Sequence, residues 1–154
     1  MAFVENAPEV IVAAAKELLE KGLVEGTSGN ISARMEDGNI AVTPSSLDYR
    51  IMTPEDIVVV NPAGDVVSGE RGPTSEKYLH LAEQVVKALE NRGAALIANH
   101  GMVAIGTTME KTMHNTALVE RSAKIIWGAK QLGGIFPLPE KVNQNFMNVY
   151  PFMR

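Results

Sequence analysis

The chain has 154 residues, 45% of them hydrophobic and 21% charged, with no cysteine and a net charge of −4. That length is enough for one domain with a real core, and the composition is globular, not disordered. Absence of cysteine removes disulfides, thiolate zinc sites, iron–sulfur clusters and a cysteine nucleophile, and an acidic pI near 5.4 leaves no footprint for nucleic acid or an anionic membrane. Any metal must use His, Asp or Glu, and the histidines are His80, His100 and His114. The N-terminus shows no basic, then apolar, secretory pattern, and no apolar run reaches the roughly 20 residues of a membrane span. A cytoplasmic protein is the expectation.

A first helix is expected from Asn6 as cap, Pro8 in the first turn and the helical spacing of Val10, Ile11, Ala14 and Leu18, with Gly22 as its stop. Gly26 to Asn30 is too small and polar to be helix or strand. Ile31–Met35 and Ile40–Thr43 flank Glu36-Asp37-Gly38-Asn39 and read as a hairpin. Thr43-Pro44-Ser45-Ser46 is a second polar loop. Thr53 to Asp56 reads as a capped turn, Ile57–Val60 as a buried strand, Asn61–Asp65 as a turn and Val66-Val67 as the start of a short strand. Gly69 to Ser75 is a third loop, ending in a helix capped by Thr74 or Ser75, with Leu79, Ala82, Val85, Val86 and Leu89 on one face. Ala94–Ala98 and Met102–Ile105 read as buried strands around Asn99-His100-Gly101, which places His100 at or near the core. A helix starts near Gly106–Glu110 and runs to about Lys130, where Gly133-Gly134 ends it; Pro137 and Pro139 lead into a short last helix or tail. Trp127 and the methionines Met102, Met109 and Met113 read as packing residues. This order makes the class α/β with a mixed or antiparallel sheet.

The three polar loops supply hydroxyls and backbone N–H groups. Converging, they would cradle a phosphate with little need for arginine, because glycine lets the backbone approach an anion and a helix N-terminus favours one. Singly, each is an ordinary turn or cap. Glu76 is either a first-turn carboxylate or an acid/base or metal ligand beside such a site. His100 is either a hydrogen-bonded structural residue or a ligand.

Gly22-Leu23 through Gly26-Thr27-Ser28-Gly29-Asn30-Ile31-Ser32-Ala33-Arg34, then Val42-Thr43-Pro44-Ser45-Ser46, Pro73-Thr74-Ser75-Glu76 and Asn99-His100-Gly101 resemble, in that order, the motifs of the class II aldolase/adducin family. The resemblance implies a mixed sheet flanked by helices in one domain over residues 1–154. It implies zinc-dependent cleavage of a phosphorylated ketose, such as fuculose 1-phosphate, to dihydroxyacetone phosphate and an aldehyde. Gly29, Asn30, Ser45, Ser46, Thr74 and Ser75 match the phosphate-binding positions. Glu76 matches the acid/base carboxylate that also touches the metal, and His100 matches one histidine ligand. A homotetramer is implied as well.

The sequence departs from the family in two places. Ser46 stands where glycine is common. More seriously, the family's His-x-His zinc pair is absent, and the flanks of its segment are joined directly near residues 80–83, as though by an internal deletion. Catalytic zinc takes three protein ligands and an open position. Glu76 and His100 supply two, and only helical i,i+4 spacing would bring His80 to the face of Glu76. The expectation is weak zinc binding by this chain. A non-catalytic, adducin-like phosphate-binding or interaction domain is the alternative to the aldolase; a pentulose-phosphate 4-epimerase or a sugar-phosphate dehydratase is another.

Overall fold

The computed structural model describes residues 3–77, 83–90 and 92–149. The expected helix seam at 80–83 therefore falls largely outside the described residues, as do Leu79, His80 and Ala82. The chain divides into two compact units, Met1–Glu120 and Arg121–Arg154.

The first unit opens with α1 (Ala7–Glu20), which Pro8 starts and Gly22 stops. Asn6 stands at the cap in a left-handed conformation, but its side chain makes no capping bond. At the other end Gly22 has φ +64, and the N–H groups of Gly22 and Leu23 return to the carbonyls of Leu19 and Leu18 at 3.0 and 2.9 Å. This is the reciprocal closure a left-handed glycine permits. Ala7, Ile11, Ala14, Ala15 and Leu18 form the buried face. Fully burying a side chain such as Ile11 contributes about 1.5–3 kcal/mol.

That face packs on an antiparallel sheet of β1 (Ser32–Arg34), β2 (Ile40–Val42), β3 (Val58–Val60) and β4 (Val66–Ser68), in that spatial order. The Asp37-Gly38 turn joins β1 to β2 as the sequence predicts. Register puts Ile40 opposite Val60 and Val42 opposite Val58, so these four make one buried cluster. Ala33 and Ala41 point the other way and, with Tyr49, Met52 and Ile57, join the α1 core. Alternation along each strand separates the two sets. β4 is exposed throughout and forms the edge.

A short 3-10 turn, Pro54–Asp56, precedes β3. Asp56 accepts from the Thr53 N–H at 2.9 Å, and Arg71 Nε donates to it at 2.6 Å. The Thr53 backbone bond foremost, then Arg71, holds the Asp56 carboxyl below its ordinary value of 3.8.

After α2 (Glu83–Leu89), β5 (Ala94–Ile97) and β6 (Gly101–Ala104) pair antiparallel as a separate two-stranded sheet. The α/β class stands, and of the mixed or antiparallel sheet expected, the described strands pair antiparallel, in two sheets. The strands around His100 are not buried: Leu96 is 80% exposed, although α2 and α3 (Met109–Gln131) lie beside this hairpin through Ala88 and Val119. Val86, expected on the buried face of α2, is also exposed, while Leu89 is buried. Met113 joins the α1 core and Met109 packs against it, as expected. In the second unit α3 runs on to Gln131 and α4 spans Glu140–Val149. Trp127 is 69% exposed there, so it is not core. No helix among the described residues is long and apolar enough to cross a membrane.

A carboxylate whose pKa is depressed by folding stabilises the fold above its unfolded value, and that contribution is lost as pH falls through the folded value. Asp56→Asn is therefore expected to lower the thermal midpoint by a few degrees at neutral pH, with the gap to wild type closing as pH falls below the ordinary carboxylate value. Thermal unfolding monitored across pH checks this.

Candidate active site

Thr43 lies at the end of β2, 1% exposed, and joins the three polar loops. Its N–H donates to the Ile31 carbonyl at 3.0 Å, and its hydroxyl accepts from the Ile31 N–H at 3.2 Å. Ile31 directly follows Gly26–Asn30, so the first loop is pinned at its exit. The Thr43 carbonyl accepts from the Thr74 N–H at 3.0 Å, which pins the third loop. Pro44 and Pro73 sit opposite each other in an antiparallel bridge, and Ser45 N–H reaches the Gly72 carbonyl at 3.0 Å. The loops the sequence reading separated are thus side by side.

Around this anchor the hydroxyls face outward. Ser45, Ser46 and Ser75 are exposed, Asn30 is half-buried, and Thr74 is buried. Ser45 and Ser46 Oγ lie 3.4 Å apart. Ser46 has φ 58, the left-handed region where a Cβ costs about 1–2 kcal/mol, so the position favours the glycine that the serine departs from. Gly29 has φ +87, and a Cβ there would meet Val24 Cγ1 at 2.8 Å. The backbone conformation and the space behind it both require glycine.

Thr74 also shapes the turn that carries the carboxylate. Its hydroxyl accepts from the Glu76 N–H at 3.2 Å and its carbonyl from the Lys77 N–H at 3.1 Å. Lys77 Nζ donates to the Gly64 carbonyl at 2.7 Å, tying the turn to the β3–β4 connection. Glu76 then reaches the β5–β6 turn, where Asn99 takes φ 57 and His100 N–H returns to the Ile97 carbonyl at 3.1 Å. His100 Nε2 lies 2.6 Å from Glu76 Oε2, with the two side chains 39% and 30% exposed. His100 is therefore not a core histidine. The exposed hairpin presents it to Glu76, more than 20 residues away in sequence.

Six cradle positions, Glu76 and His100 were all named from sequence. The roles of Thr43 and Tyr49 were not. Tyr49 is 1% exposed, and its hydroxyl is buried without a hydrogen-bond partner among the described residues. Burial raises its pKa above the usual 10, while the Thr43 hydroxyl acts in the opposite sense. Asp48 and Arg50 flank it as an exposed ion pair, which disguises Tyr49 as one more loop residue.

The profile of the Class II Aldolase and Adducin N-terminal domain matches residues 9–82 and 78–127. The chain belongs to that family. The 5-deoxy-D-ribulose 1-phosphate aldolase of Bacillus thuringiensis serovar kurstaki is 27% identical over 195 aligned positions, covering 89% of this chain and 92% of that protein. A methylthioribulose-1-phosphate dehydratase of Granulibacter bethesdensis is 33% identical over 105 positions, 68% of this chain but 48% of that protein, so the match spans about half of its length. Among solved structures, an L-fuculose 1-phosphate aldolase superposes with a TM-score of 0.84 at 24% identity, covering 97% of this chain and 98% of that one. That likeness establishes the class II aldolase fold. These two sequence relatives are an aldolase and a dehydratase named for ribulose-type 1-phosphates.

Metal dependence is typical of the family, but the donors among the described residues do not make up a catalytic zinc site. Among the described residues no three His, Cys, Asp or Glu side chains cluster as a metal site needs. Glu76 and His100 are bonded to each other, His114 is exposed on α3, and His80 lies outside the described residues. Two donors fall short of the three that zinc takes from protein in catalytic sites. Purified chain saturated with zinc and then desalted is expected to retain well under one zinc per chain by elemental analysis; one tightly held zinc would contradict this.

Proposed function

We propose that the chain binds a short 1-phosphorylated ketose by its phosphate and presents Glu76 to a proton on the sugar's carbon skeleton, the proton-transfer half of aldolase and dehydratase chemistry. The observation that carries this reading is the 2.6 Å contact of His100 with Glu76 at the mouth of the loop cluster that Thr43 ties together. Gly29, Asn30, Ser45, Ser46, Thr74 and Ser75 would receive the phosphate. Hydroxyls and loop amides suit a phosphate, and a glycine at position 29 lets backbone come close. Anchoring the phosphate fixes the distance from it to the reacting carbon, which is where orientation lowers a barrier. Glu76 acts as the acid/base group. His100 Nε2–H donates to Glu76 Oε2, orients the carboxylate and offers a route for the proton to solvent.

The names of the sequence relatives favour a five-carbon 1-phosphate over fuculose 1-phosphate. Full zinc-dependent cleavage is the second reading. It is favoured by the 89% of the chain aligned with an aldolase, and it needs donors beyond Glu76 and His100. An internal deletion near 80–83 is part of the proposal. Two profile matches that meet at 78–82, and 195 aligned positions against a 154-residue chain, support it. So is a homo-oligomer, a tetramer by resemblance. Exposed Trp127, Leu132, Phe136 and Phe146 in the second unit give it apolar surface of the kind that marks interfaces.

Dihydroxyacetone phosphate in deuterated buffer tests the reading. Wild type is expected to bind it and to exchange a carbon-bound proton above the buffer rate. Glu76→Gln should lower exchange about 100-fold or more, or to background, while binding stays within about twofold. Ser75→Asp, which sets a like charge against the phosphate, should weaken binding at least about tenfold. Binding without exchange by wild type would leave the non-catalytic, adducin-like reading in its place.

A further inference from the structure

Asn115 is a polar side chain that the proposed chemistry leaves unused. It stands at the end of the second turn of α3, and its Nδ2 donates to the Ile105 carbonyl at 2.8 Å. Ile105 N–H in turn donates to the Gly93 carbonyl at 2.9 Å, so this is the closed base of the β5–β6 hairpin. The fit there is close. A Cβ on Gly93 would lie 2.5 Å from Asn115 Nδ2, and one on Gly106 would lie 2.6 Å from the Thr112 backbone nitrogen. Met113, two residues before Asn115, is buried in the α1 core together with Ala33 of β1 and Ala41 of β2. Two residues turn about 200° around a helix, so α3 meets that core on one side and the hairpin base on the other.

A two-stranded hairpin is marginal by itself, so its direction must come from what holds its base. His100 lies beyond the last of four residue pairs, about 13 Å from that base. A tilt of about 10° at the base moves the tip by about 2 Å, enough to part His100 from Glu76. Glu76 is held from the other direction, by Thr74 and through it Thr43 at the end of β2.

Resting on the acid/base reading of Glu76 and His100 above, we propose that Asn115 is a positioning residue: by fixing the hairpin base to α3 it sets where His100 meets Glu76. The core that seats α3 also seats β1 and β2, so the first two turns of α3 are the spacer between the two members of the pair.

Histidine 15N NMR of the unliganded protein reads the pair directly, with His100→Gln assigning the signal. Asn115→Leu, which cannot donate, and Gly93→Ala, whose Cβ displaces the Asn115 amide, should each move the His100 Nε2 signal to where Glu76→Ala places it. Deuterium exchange into dihydroxyacetone phosphate should fall about tenfold or more in both. Inorganic phosphate affinity should stay within about twofold, because the cradle is joined through Thr43. In a His100→Gln background Asn115→Leu should lower exchange no further. A His100 signal unchanged in both variants overturns the role of Asn115. A further loss of exchange in the His100→Gln background overturns it too, since Asn115 would then act elsewhere. Exchange absent from wild type overturns the acid/base reading of Glu76, and the His100 signal still decides the role of Asn115.

Discussion

The site depends on the hydrogen-bonding capacity of one threonine. Thr43 spends its N–H and hydroxyl on Ile31 and its carbonyl on Thr74, so three segments far apart in sequence meet at one buried residue. Backbone groups that leave a sheet must find partners elsewhere. At the end of β2 those partners are the exit of the first loop and the end of the third. Pro44 and Pro73 extend the contact without amide donors of their own, and Ser45 continues it onto Gly72. Small hydroxyl residues are then left on the outer side. The cradle is what remains exposed once the loops have satisfied each other's backbone.

The second constraint is the hairpin that delivers His100. Asn99 in the left-handed region turns β5 into β6, and the pair meets Glu76 outside the core. The same contact occupies both side chains that the family would direct at a metal. The loops hold together through Thr43, so their arrangement does not need the His-x-His pair that the chain lacks.

Much of this was legible in the sequence. Small polar clusters cannot hide in a core, so Gly26–Asn30, Thr43–Ser46 and Thr74-Ser75 announce themselves, and Asp37-Gly38 between extended runs fixes its hairpin. Gly22 reads as a stop for the same conformational reason it acts as one. Burial was harder. Ala94–Ala98 is apolar, and apolar composition without a helix or sheet known to cover it says nothing about exposure; hence His100 was expected in the core and stands outside it. Trp127, read as core or interface packing, is likewise outside the core of this chain. Thr43 was missed because a hydrogen-bond partner 12 residues away leaves no local pattern, and Tyr49 because burial within a polar loop leaves none either. Only the fold reveals that one loop hydroxyl is a joint and another is buried.

The central claim is that three loops act as one anion site. Backbone amide NMR during titration with inorganic phosphate tests it most directly. Amides of Asn30, Ser45 and Ser75 should shift together and fit one dissociation constant. Shifts confined to one loop, or separate constants for the three, would contradict a shared cradle.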